Sequence, residues 1–119
     1  MSDSLQKLGL HLIADFKAGK NVSAGESYMN ELTVEIQHNC LFEVGRVLHV
    51  FDSGGFTAVS CLTESHLSVH TWPENGKVTF DIFLSNHLEI NNEKVESLWQ
   101  FTKDFFSAYD LKINRINRG

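Results

Sequence analysis

The chain has 119 residues, 42% of them apolar and 21% charged, and ten Lys and Arg against fifteen Asp and Glu give a net charge of −5. That length suits one folded domain, and the composition excludes a disordered chain. The acidic balance argues against nucleic acid or an anionic membrane as the main partner. No apolar run approaches the roughly 18 residues of a membrane span, and Met1 to Lys7 lack the basic and apolar pattern of a signal peptide, so a cytoplasmic protein is expected. Cys40 and Cys61 are too few for a disulfide framework or a four-thiolate zinc site, and their apolar neighbours predict buried thiols.

In chain order, the branched and apolar run Leu8 to Phe16 predicts a strand, and Lys17 to Gly25 a polar loop. Met29, Leu32 and Ile36 recur at three and four, the stripe of a helix over about 24–39. Leu41 to Phe51 and Phe56 to Thr63 flank the turn signal Asp52-Ser53-Gly54-Gly55 and read as a hairpin. A strand follows in His66 to Trp72, with His66, Ser68, His70 and Trp72 on one face and Leu67, Val69 and Thr71 on the other. After the turn Pro73 to Gly76, Lys77 to Leu84 predicts another strand. Asn91 or Asn92 can cap a helix whose face carries Val95, Leu98, Trp99, Thr102, Phe105 and Phe106, and Leu111 to Ile116 predicts a last strand. The order β-α-β-β-β-β-α-β predicts an α+β two-layer sandwich, with an antiparallel sheet and two helices on one face.

The segment Glu64-Ser65-His66-Leu67-Ser68-Val69-His70-Thr71-Trp72-Pro73-Glu74 concentrates the reactive side chains. His66 and His70 would share a helix face, but on a strand four residues span ~13 Å, too far for one ion to bind both. No metal is expected there. A Ser–His hydrolase would need the Gly-x-Ser-x-Gly elbow, which is absent.

This segment resembles the signature of the short prokaryotic S-adenosylmethionine decarboxylase proenzymes. The resemblance extends through Leu8-Gly9-Leu10-His11-Leu12, the His49-x-Phe51 pair and Asp81-Ile82-Phe83. It implies self-cleavage between Glu64 and Ser65, giving a β chain of residues 1–64 and an α chain of residues 65–119. The Ser65 hydroxyl would attack the Glu64 carbonyl to form an ester. β-Elimination would then leave a dehydroalanine that hydrolyses to a pyruvoyl group. That ketone would form a Schiff base with S-adenosylmethionine and accept the electrons released with carbon dioxide, supplying the aminopropyl donor for spermidine and other polyamines.

Residue by residue, the resemblance makes Ser65 the pyruvoyl precursor and His70 the processing base. Thr57 stands where the family has a serine assisting the acyl shift, and its extra methyl stiffens χ1. Phe51 would stack on adenine, Glu74 would hold the ribose hydroxyls, and Glu64 would contact substrate beside the break. Ser85 stands where the family carries a cysteine that donates a proton. A thiol titrates near ~8.5 and an aliphatic hydroxyl far higher, so serine is the poorer donor, and His87 or a water is a possible substitute.

Ser65 and His70 are five apart, ~16 Å along a strand and on opposite faces. The family's homodimer, with sites shared across a two-fold interface, would resolve this. Ser65 and Ser85 of one protomer would meet Thr57, His70, Phe51 and Glu74 of the other. A chain this short buries only about two-thirds of its unfolded surface, which also favours pairing. Two other readings stay open: a pyruvoyl decarboxylase of ornithine or arginine, and an unprocessed, inactive homologue that binds a partner.

Overall fold

The computed structural model describes residues 8–86 and 89–119. The strands are β1 (Gly9–Ala18), β2 (Glu43–Val50), β3 (Phe56–Leu62), β4 (Ser65–Trp72), β5 (Lys77–Ser85) and β6 (Ala108–Arg118), with helices α1 (Gly25–His38) and α2 (Asn92–Phe106). The strands form one antiparallel sheet in the order β2-β3-β4-β5-β1-β6. The element order and the α+β layering agree with the sequence reading. Among the described residues no helix is long and apolar enough to cross a membrane.

Strict alternation decides which face of each strand meets the helices. Leu10, Leu12, Ala14 and Phe16 of β1, Leu67, Val69 and Thr71 of β4, and Val78, Phe80, Ile82 and Leu84 of β5 are buried against them. The helices contribute Leu32, Ile36, Val95, Leu98 and Phe106. Tyr28 lies at the centre of their contact, with its ring within 5.2–6.3 Å of those of Phe56, Phe101, Phe105 and Phe106. Its hydroxyl shares a 2.8 Å hydrogen bond with Thr102 Oγ1. Truncating such a buried side chain to alanine costs about 2–5 kcal/mol, a large share of a small domain's stability.

The same alternation corrects the cysteines, since both thiols are exposed. On β3 the residues Phe56, Ala58, Ser60 and Leu62 take the core face, which leaves Cys61 on the other side of the sheet. Cys40 sits just beyond the end of α1 at φ 57° and does not continue its apolar stripe.

Element ends differ from expectation for local reasons. Asn91 stands at the N-cap of α2 without a side-chain capping bond: its Nδ2 donates to the Ser85 carbonyl, 2.7 Å away, which orients the amide so that Oδ1 is buried without a partner among the described residues. Ser107 adopts a left-handed φ of 46° that stops α2 abruptly, so β6 starts at Ala108, three residues before the predicted Leu111. A bulge between Asp15 and Lys17 absorbs the mismatch where β1 meets this early stretch of β6.

The helix-free face carries His11, Asp15, His66, Ser68, His70, Asp81 and Phe83. Its half- to well-exposed apolar residues include Val47, Trp72 and Ile116.

Candidate functional site

The sequence-predicted residues fall into two groups at opposite ends of β4. At its start, β3 passes into β4 through the two-residue turn Thr63–Glu64, with Leu62 and Ser65 paired across it. Ser65 Oγ accepts a hydrogen bond from the Ser85 backbone N–H at 2.9 Å. Glu64, Ser65 and Ser85 line a cavity of about 240 Å³, together with Cys40, Phe42 and Asn91. The Asn91 amide that holds the Ser85 carbonyl thus braces the strand end facing Ser65. His87, weighed as a substitute proton donor, lies outside the described residues.

At the other end, Thr57 and His70 are paired across β3 and β4, and Thr57 Oγ1 lies 3.0 Å from His70 Nδ1 in a hydrogen bond. Phe51, Thr57, His70 and Glu74 line one cavity of about 270 Å³ with Ser53, Thr71 and Trp72. Four residues that sequence reasoning grouped only through resemblance therefore share one concavity. Glycines draw its rim together. Gly54 takes φ +92°, which the Asp52–Gly55 turn requires, and a Cβ on Gly55 would lie 2.7 Å from the Thr71 carbonyl oxygen and 2.8 Å from Pro73 Cδ. The loop bearing Phe51 can therefore pack against the turn bearing Glu74. His49 meets Phe51 edge-on at 4.6 Å, holding a ring that is itself 48% exposed.

No single chain unites the two groups. Ser65 shares the core-facing parity of Leu67 and Val69, and His70 lies on the helix-free face. One end offers a hydroxyl beside an exposed turn peptide. The other offers an imidazole paired with a hydroxyl, a half-exposed ring and a carboxylate, groups suited to proton transfer and to a nucleoside. Another concavity, of about 650 Å³, lies over the helix layer and includes none of these residues.

Sequence reasoning missed Trp72 and Asn91 as lining residues. The alternation had placed Trp72 on the His70 face, which was a usable signal. Asn91 carried a helix-cap signal, and nothing local showed that its amide would turn back to β5.

A sequence model described as S-adenosylmethionine decarboxylase matches residues 10–119. An S-adenosylmethionine decarboxylase proenzyme of Archaeoglobus fulgidus is 31% identical over 114 residues, covering 94% of this chain and 98% of that protein. One from Syntrophomonas wolfei is 28% identical over 120 residues, covering 97% and 90%. In fold, the chain is similar to the crystal structure of the adenosylmethionine decarboxylase from Aquifex aeolicus, with a TM-score of 0.79 at 23% identity over 95% of this chain and 92% of that one.

Proposed function

Since the chain belongs to the S-adenosylmethionine decarboxylase family, we propose that it cleaves itself between Glu64 and Ser65 and decarboxylates S-adenosylmethionine, giving the aminopropyl donor for polyamine synthesis. The observation that carries this reading is the position of Ser65, directly after an exposed two-residue turn with its hydroxyl anchored at Ser85 N–H. A break there leaves the sheet intact. The α chain would begin at β4, which stays paired with β5, and the β chain would end after β3, which stays paired with β2 and β4. Cleavage costs the fold a turn and no ladder.

In processing, Ser65 Oγ attacks the Glu64 carbonyl carbon and the C–N bond of the junction gives way to an ester. His70 takes the Cα proton of residue 65 as the ester C–O bond breaks, and Thr57, bonded to that imidazole, holds its orientation. The dehydroalanine left at residue 65 tautomerises to an imine that water hydrolyses with loss of ammonia, and the pyruvoyl group so formed would supply a conjugated ketone able to take up the electron pair left when carbon dioxide departs. Phe51 stacks on the adenine and Glu74 accepts hydrogen bonds from the ribose hydroxyls, so the cavity at the far end of β4 becomes the nucleoside pocket. Glu64 remains at the new chain end beside the reacting carbon. Ser85, at the strand end beside Ser65, occupies the proton-donor position.

These roles require a homodimer. Thr57 and His70 face the helix-free side of the sheet, so two copies pair through that face, and Ser65 and Ser85 of one complete the cavity of the other. The uncovered apolar side chains Val47, Trp72 and Ile116 support this choice of face.

Intact mass after prolonged incubation, combined with a carbonyl-reactive label, tests the reading. Two fragments with the label at residue 65 are expected. One unlabelled 13.5 kDa chain would instead favour a binding homologue. Carbon dioxide release from S-adenosylmethionine, ornithine and arginine then identifies the substrate, and sedimentation at several concentrations checks the dimer.

A further inference from the structure

His11, His66 and Asp81 come from three adjacent strands and converge on the helix-free face. His11 on β1 and His66 on β4 are both in register with Phe83 on the intervening β5, and Asp81 lies two residues along that strand. Both imidazoles reach Asp81 while keeping ring contacts with Phe83, at centroid distances of 6.0 and 6.3 Å. His11 Nε2 is 2.9 Å from Asp81 Oδ2, and His66 Nε2 is 3.3 Å from Asp81 Oδ1. One ligand atom from each of the three lies within 4.8 Å of the others. Ser68, opposite Asp81 on β4, donates to Oδ1 at 3.0 Å and fixes the carboxylate plane.

We propose that His11, His66 and Asp81 form a binding site for a divalent transition-metal ion of the Zn²⁺ type. Two imidazoles and a carboxylate are the donors that borderline ions prefer, and three protein ligands leave one tetrahedral position for water. Tetrahedral coordination at ~2.0–2.1 Å sets the ligand atoms about 3.4 Å apart. The 4.8 Å spread here is larger by little more than a side-chain rotation. A rigid sheet supplies all three ligands from one chain, so in the proposed dimer, which pairs through this same face, each copy would hold its own ion between the two sheets, and Ser68 acts as the outer partner that orients a ligating carboxylate. The site does not depend on the cleavage at Ser65. It also differs from the His66–His70 pair that spacing along β4 rules out. His70 turns to Thr57, while His66 finds its partners across the sheet.

The test is titration of the untagged, full-length protein with Zn²⁺ by calorimetry, and with Co²⁺ by visible absorption. One ion per chain is expected, with the d–d bands of a nitrogen- and oxygen-ligated tetrahedral site. His11→Ala, His66→Ala and Asp81→Asn should each weaken binding by more than about 100-fold, and Ser68→Ala by roughly tenfold. His70→Ala and His38→Ala should bind as the parent does. In the unsubstituted protein, ¹⁵N shifts of the His11 and His66 imidazoles on adding Zn²⁺ provide a readout that needs no variant. The proposal is overturned if binding does not saturate, if it survives loss of His11 or Asp81, or if the two imidazoles do not respond.

Discussion

The two ends of β4 are built by different means. The Ser65 end is mostly backbone: a tight turn, a Ser85 N–H on the hydroxyl, and an Asn91 amide on the Ser85 carbonyl. The His70 end is mostly side chain: Thr57 on the imidazole, His49 against Phe51, and Glu74 and Trp72 on the rim. A junction proposed to react with itself needs its hydroxyl held in place, which bonds anchored on backbone groups do well. A pocket that must admit a ligand needs exposed groups on a firm base, which alternate strand residues provide. Each end lacks what the other has, and the proposed dimer is the arrangement that would bring the two together.

The strongest way to break this comparison is to disable one end in each of two chains. Ser65→Ala abolishes cleavage of the chain that carries it. His70→Ala slows cleavage by about 10²–10⁴-fold, the usual weight of a positioned base. Co-expressed, the two variants form mixed dimers in which the Ser65 end of the His70→Ala chain meets an intact His70. Random pairing in a two-fold dimer then cleaves about a quarter of all chains. Fragments counted by mass spectrometry give the answer. No cleavage above the separate variants would mean that the two ends do not complement each other across an interface.

Ser85 tests whether the backbone end also lacks a good acid. Ser85→Cys puts a thiol titrating near ~8.5 where the hydroxyl stands, and turnover should rise by about tenfold or more while the extent of cleavage is unchanged. Single-turnover decarboxylation separates this gain from any change in processing. An unchanged rate would place the proton donor elsewhere.

At the pocket end the effects should fall on binding. Phe51→Ala removes a stacking surface worth about 1–3 kcal/mol per base, so KM rises about tenfold with kcat nearly held. Glu74→Gln keeps the shape and weakens the ribose hydrogen bonds, raising KM by roughly fivefold. A fall in kcat with unchanged KM for Phe51→Ala would remove the adenine role.

How much of this was readable beforehand follows from the range of each interaction. Alternation along β4 fixed its faces, and the stripes Met29-Leu32-Ile36 and Val95-Leu98-Thr102 located the helices, because those patterns repeat within a few residues. Cys61 misled because apolar neighbours on a strand indicate the strand and not the side. Ser107 gave no glycine to mark the end of α2, so the early start of β6 was hidden. At the candidate site, the eleven-residue stretch from Glu64 to Glu74 carried the resemblance in sequence. The convergence of His11, His66 and Asp81 needed the strand order β4-β5-β1, which no local pattern contains. The same holds for the contact between Ser65 and Ser85, twenty residues apart.

The smallest expected effect separates the ends from the scaffold they share. Burial raises the Tyr28 phenol well above its ordinary value, with the Thr102 hydrogen bond opposing this only in part. An unfolded tyrosine loses its proton near pH ~10, whereas the folded one keeps it. The neutral phenol's contribution is therefore fully present below about pH 10 and declines as pH rises beyond it. Tyr28→Phe should flatten this alkaline decline and cost about 1 kcal/mol at neutral pH through the lost bond to Thr102. Urea unfolding at pH 7 and pH 11 measures both. Because Tyr28 touches neither end of β4, cleavage at Glu64–Ser65 should proceed at the parent rate in this variant. A slowed cleavage would show that rigidity of the helix layer reaches the junction, and the division between a backbone-built end and a side-chain-built end would then have to include the core that joins them.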